Sequence, residues 1–171
     1  MSSAMLQFWD NADSPEHNVV PKLTKLFRKE RLLIQFGTEL LEVYRNDLLQ
    51  GLNVPPSNLR MAVYGIQSAF EISYVVNEEQ LLYPALLQVE SLPTNILDRM
   101  QIRREEHRQT LDEILALRLY IDAYEESPTK KNVLIFHLTE VVERIQRHPN
   151  LDDDKLLAFA EEMLSSDVKQ S

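Results

Sequence analysis

The chain contains no cysteine. Disulfides, zinc ribbons, iron–sulfur clusters and cysteine nucleophiles are therefore excluded together, and the absence suits a reducing compartment. Glycine is almost as scarce, at 3 of 171 residues. That disfavours a many-turned all-β sandwich and a Gly-rich phosphate loop. Positive charge is in deficit: 18 Lys and Arg stand against 27 Asp and Glu, a formal net charge of −9. So acidic a chain offers no broad basic face to nucleic-acid phosphates or to an anionic membrane. No stretch reaches the ~18 consecutive apolar residues of a membrane span. Residues Met1 to Trp9 carry neither the basic start nor the long apolar run of a secretory signal. A cytoplasmic location without nucleic-acid or membrane partners is the expectation.

The composition is otherwise that of one globular domain, with 44% hydrophobic and 26% charged residues, and the length suffices for a sizeable core. Apolar residues recur with the helical period between clear breakers. Asp13, Ser14, Pro15 and Glu16 read as a helix start, with Pro21 close behind. The first helix then runs to about Gln50 and Gly51, and Pro55 and Pro56 interrupt the chain. A second helix spans about Ser57 to Val89 and stops before Pro93. A third runs from Thr94 or Asn95 to about Glu126, ahead of Pro128. A fourth ends near Arg147, where His148, Pro149 and Asn150 break it. A short acidic helix follows, about Leu151 to Ser165. The expectation is an all-α, up-down-up-down four-helix bundle over residues 21–150, preceded by an arm (1–20) and followed by a tail helix (151–171).

The polar residues that fall on apolar stripes are the informative ones. In helix one, Glu30 lies near the centre of a stripe that includes Leu23, Leu26, Phe27, Ile34, Gly37, Leu41, Tyr44 and Leu48. In helix two, Tyr74, Asn77 and Glu78 fall among Val63, Ile66, Phe70, Leu81 and Ala85. In helix three, Arg104 and His107 fall among Leu97, Met100, Leu111, Ile114, Leu115 and Ile121. Helix four presents a plain apolar face from Leu134 to Ile145, with His137 and Thr139 at its edges. A buried charge needs a partner, a metal or a shifted pKa. A polar network of Tyr74, Glu78, Arg104 and His107 is one expectation. A metal or ligand site in the core is the other.

Two phrases resemble the hemerythrin-like, HHE cation-binding family of helical bundles. Glu78-Glu79-Gln80-Leu81-Leu82-Tyr83-Pro84 is similar to that family's Glu-x-x-Leu-Phe-Pro stretch, and Glu106-His107 before Leu111, Leu115 and Leu119 is similar to its third helix. The resemblance covers about residues 22–149 and implies Glu78, His107 and Glu30 as metal candidates, with His137 and Tyr74 weaker ones. Tyr74 stands where the family has a helix-two His, Arg31 or Glu30 stands at the helix-one place, and helix four cannot supply a full His and Glu pair, whether from Thr139 and Glu143 or from His137 and Val141. What the resemblance implies is a divergent member with an incomplete metal site. Iron or another divalent metal is the possible cofactor, and none is expected by default.

Other features read as ordinary. His17 and His148 suit a helix start and a loop, and Asp152 to Asp154 lack the spacing of a calcium loop. No nucleophile–base pair is legible among the serines, so the chain is not expected to be an enzyme. Phe8 and Trp9 suit docking of the arm on the bundle or on a partner. The expected function is a non-enzymatic binding or regulatory protein with an unidentified protein partner, a homodimer being one option. The alternative is a hemerythrin-like protein that binds iron or another transition metal and senses or stores metal or oxygen.

Overall fold

The computed structural model describes residues 19–147 and 153–166, and among these the regular structure is entirely helical. Helix α1 is Val19–Leu49. Helix α2 is one rod in three parts: Pro56–Phe70, a π-helical stretch Glu71–Leu82, and Tyr83–Leu87. Helix α3 is Thr94–Glu126. After a 3₁₀ turn, Pro128–Lys130, come α4, Lys131–Arg147, and α5, Asp153–Ser166. The arm residues Phe8, Trp9 and His17, the start at Asp13, and His148 and Asp152 lie outside the described residues.

The breakers act where the sequence placed them. Gly51 takes φ 78 just past α1, a left-handed conformation that glycine adopts without Cβ strain. The amide of Leu52 donates to the Asp47 carbonyl (2.9 Å) and that of Gly51 to Leu48 (3.1 Å), so the last carbonyls of the helix are satisfied in a Schellman motif. Pro56 occupies the first turn of α2, where a missing N–H costs nothing.

Helix α1 packs on α2 and α4, α2 on α3, and α3 on α4. The main core joins Ile34, Leu41 and Leu48 to Ile66, Phe70, Ile114, Ile121, Leu138 and Val142. Gly37 lies against this core: a Cβ there would come within 2.5 Å of Ile66 Cγ1, so α1 and α2 approach closely because that side chain is missing. A second cluster forms where Leu156 and Ala160 of α5 pack on Leu82, Tyr83, Leu86, Ile96 and Met100. The tail helix thus closes one end of the molecule.

Two faces differ from the sequence reading. In α2 the buried side chains run Phe70, Ser73, Asn77, Glu78, Leu82, Tyr83 and Leu86, whereas Leu81 and Ala85 are only half-buried. The cause is the π-helical stretch, whose i→i+5 bonding takes more residues per turn than an α-helix. In α3 the buried line is Ile96, Met100, Arg103, His107, Thr110, Ile114, Leu117 and Ile121, a strict alternation of four and three. Leu97, Leu115 and Arg104 are exposed. The line through Arg104 continues to Leu111 but then meets Arg118; the line through Arg103 meets Thr110 but then buries Leu117. The second is the one realised.

Candidate functional site

The buried polar residues gather between the π-helical stretch of α2, the N-terminal half of α3 and the middle of α1. Glu78 is 3% exposed, Arg103 4% and His107 7%. Arg103 reaches the Glu78 carboxylate with two donors: Nη2 to Oε1 at 2.6 Å and Nε to Oε2 at 3.2 Å. The Tyr83 hydroxyl donates to Oε2 at 2.6 Å, and His107 Nδ1 lies 3.7 Å from the same oxygen. A planar guanidinium and a carboxylate match as two parallel forks, which is why Arg is suited to this place. Burial and the neighbouring Glu78 charge push the Tyr83 phenol up, so it stays a donor. The contact between Glu78 and Tyr83, five residues apart, follows from the wider turn of the π stretch.

Tyr74 stacks on the His107 ring with centroids 3.4 Å apart and planes inclined by 27°, and Phe70 tilts against Tyr74 at 4.7 Å. The expected grouping of Tyr74, Glu78 and His107 is therefore present, with Arg103 in the role foreseen for Arg104. Arg104 points outward instead. Its Nε contacts both oxygens of Glu79 (2.7 and 2.8 Å), and its guanidinium carbon lies 5.0 Å from the Tyr83 ring centroid.

Glu30 is buried too, but it is held by other partners. Asn77 Nδ2 donates to its Oε2 at 2.6 Å, and Ser73 also bonds to it. Burial raises the Glu30 pKa above its ordinary value; the Asn77 and Ser73 hydrogen bonds and the nearby Lys29 oppose that rise only partly. His137 does not join these residues. It stacks on Tyr120 with centroids 3.6 Å apart and planes 11° apart, and Phe136 meets it edge-on. Thr139 turns its hydroxyl to the Ile135 carbonyl, and Glu143 is exposed. Among the described residues, no three His, Cys, Asp or Glu side chains are arranged to hold a metal ion.

A cavity of about 520 Å³ opens beside the network. Its lining includes the polar residues Ser73, Tyr74, Glu78 and Arg103, the apolar Phe27, Ile34, Leu82 and Ile145, and Leu156, Leu157 and Ala158 of α5. Arg28, Arg31, Glu39 and Glu161 also line it.

Sequence reasoning missed Arg103, Tyr83 and Ser73. The four-and-three spacing from Met100 to His107 admits Arg103 as readily as Arg104, and Leu117 is the residue that discriminates. Tyr83 was hidden by the π stretch, which nothing in the local composition announces.

Fold and site together define an all-helical protein with a buried carboxylate–guanidinium pair, stacked Tyr and His rings beside it, and an adjoining cavity. No protein-family model matches the chain, and neither a curated protein nor a solved structure matches it.

Proposed function

We propose that the protein is a non-enzymatic binding or regulatory module on a hemerythrin-like, up-down-up-down four-helix bundle, and that a protein ion pair occupies the place a metal would take. The helix order supports the bundle: consecutive helices pack as neighbours, and α4 returns to α1. One observation carries the functional reading. Both Glu78 oxygens already accept hydrogen bonds from Arg103, and one of them also from Tyr83. A carboxylate so engaged has little left to give a cation, and a fixed guanidinium beside it repels one. The other carboxylate and imidazole candidates are engaged elsewhere: Glu30 with Asn77, His107 in the Tyr74 stack and His137 in the Tyr120 stack. The cavity falls within the size range of small-molecule sites and is lined by both apolar and charged side chains, and it is the place for a small organic ligand.

Thermal melts of untagged protein test the reading, run with chelator, after aerobic iron loading, and with a panel of small organic ligands. Chelator is expected to leave the melt unchanged and iron to stay well below one per chain. A ligand from the panel should raise the midpoint for the parent but not for Ala158→Trp, which fills one side of the cavity. Close to two irons per chain with an oxo-bridged charge-transfer band would overturn it.

A further inference from the structure

Helix α1 carries two apolar faces. The first, Ile34, Leu41 and Leu48, is buried in the core. The second points to solvent, where an amphipathic helix is ordinarily polar. Leu33 is 53% exposed, Phe36 68% and Val43 52%, with Leu40 between them half-buried and partly packed against the main core. Contiguous exposed apolar strips of this kind mark interaction surfaces.

The spacing identifies what the strip fits. Lys29, Leu33, Phe36, Leu40, Val43 and Asp47 follow one another at intervals of four, three, four, three and four. That is the seam of a two-stranded coiled coil, in which knobs of one helix enter holes of another. The interval series reads the same in both directions. Laid antiparallel on its own copy about a two-fold axis beside residue 38, the seam pairs Phe36 with Leu40, Leu33 with Val43, and Lys29 with Asp47. Every apolar position meets an apolar one, and each end meets its opposite charge. The charges of α1 divide the same way, basic before Ile34 apart from the buried Glu30 and acidic after it apart from Arg45. A parallel pairing would set Lys29 against Lys29 and Asp47 against Asp47, which like-charge repulsion disfavours. The seam sums to no net charge, so a chain of −9 meets itself on a neutral strip about 27 Å long, at ~1.5 Å per residue.

We propose that this outer seam of α1 is the contact face of an isologous homodimer in which α1 lies antiparallel to α1 of a second copy. The proposal does not depend on the binding function above, and its test does not involve metal or ligand.

Sedimentation equilibrium of the full chain should give twice the 20.0 kDa mass. Phe36→Glu should give a monomer with unchanged helical circular dichroism. Lys29→Glu should weaken the dimer by about tenfold, since two end pairs become repulsive at once, and adding Asp47→Lys should restore it. Because the chain has no cysteine, cross-linking reads the register directly. Leu33→Cys with Val43→Cys in one chain should oxidise to a covalent dimer. Leu33→Cys alone should not, since the two copies of that position would lie about 15 Å apart along the axis, beyond the reach of a disulfide. A parent that sediments as a monomer overturns the proposal. So does a dimer unaffected by Phe36→Glu, a charge swap that fails to restore association, or cross-linking by Leu33→Cys alone.

Discussion

Replacing Glu78 by Gln keeps the shape of the side chain and removes its charge. Arg103, 4% exposed, then keeps a full positive charge with a neutral amide where the carboxylate stood. The fork of two donors at 2.6 and 3.2 Å can satisfy only one acceptor oxygen, and the Tyr83 hydroxyl, which donated at 2.6 Å, competes for it. Removing one member of a buried pair in this way typically costs about 3–5 kcal/mol. Arg103→Met leaves the carboxylate with Tyr83 and His107 and belongs in the same range. The double variant, Glu78→Gln with Arg103→Met, buries no uncompensated charge, so its loss should be smaller than the two single losses summed, with a coupling of about 2–3 kcal/mol. Urea unfolding followed by circular dichroism reads these values. At a slope of about 2 kcal/mol per molar, each single variant should unfold roughly 1.5–2.5 M earlier than the parent. Arg104→Met is the control: its pair with Glu79 is solvent-exposed, and its loss should stay below about 1 kcal/mol. A Glu78→Gln variant within ~0.5 kcal/mol of the parent, or single losses that simply add, would refute the buried pair. A larger loss at Arg104 than at Arg103 would refute the face assigned to α3.

Glu30→Gln should expose the effect of burying that carboxyl. A raised folded-state pKa means stability that is fully present below the ordinary value of 4.5 and is lost as pH rises through the raised one. Gln mimics the protonated form and still accepts from Asn77, so the variant should match the parent near about pH 4 and surpass it toward about pH 8. A difference in urea midpoint that is constant with pH, or that runs the other way, would contradict this. Gly37→Ala should destabilise by about 1 kcal/mol, because its Cβ meets Ile66 Cγ1 at 2.5 Å and overpacking outweighs the gain in helix propensity. Gly65→Ala, with open space at its Cβ, should stabilise by roughly 0.5–1 kcal/mol in the same assay.

The helix boundaries were legible because proline and glycine mark them chemically. Pro56, Pro93 and Pro128 each sit at an interruption, and Gly51 ends α1. The apolar face of α4 was legible for a similar reason, since Leu134, Leu138, Val141, Val142 and Ile145 leave one choice of stripe and all are buried. In α3 the stripe was ambiguous. Leu97, Leu111 and Leu115 drew the reading toward one side, yet packing with α2 and α4 selects a line that buries Thr110 and Arg103, because Glu78 waits across the interface to accept that guanidinium. Hydrophobicity cannot report a charge that is buried for the sake of its partner on another helix. In α2 the reading failed only after Phe70, where the assumption of 3.6 residues per turn ceases to hold.

The π-helical stretch Glu71–Leu82 bears on how this chain tolerates changes of length. Deleting one residue from an ordinary helix rotates everything beyond the cut by about 100° and turns a buried face to solvent. Within 71–82 the backbone stores surplus residues relative to an α-helix of the same angular span. A deletion there can be absorbed by tightening one turn from i→i+5 to i→i+4 bonding, with Val63 and Ile66 on one side and Leu86 on the other keeping their directions. The helix that carries the polar site is thus also a slack joint, where the chain can be shortened without reorienting the flanking segments of α2.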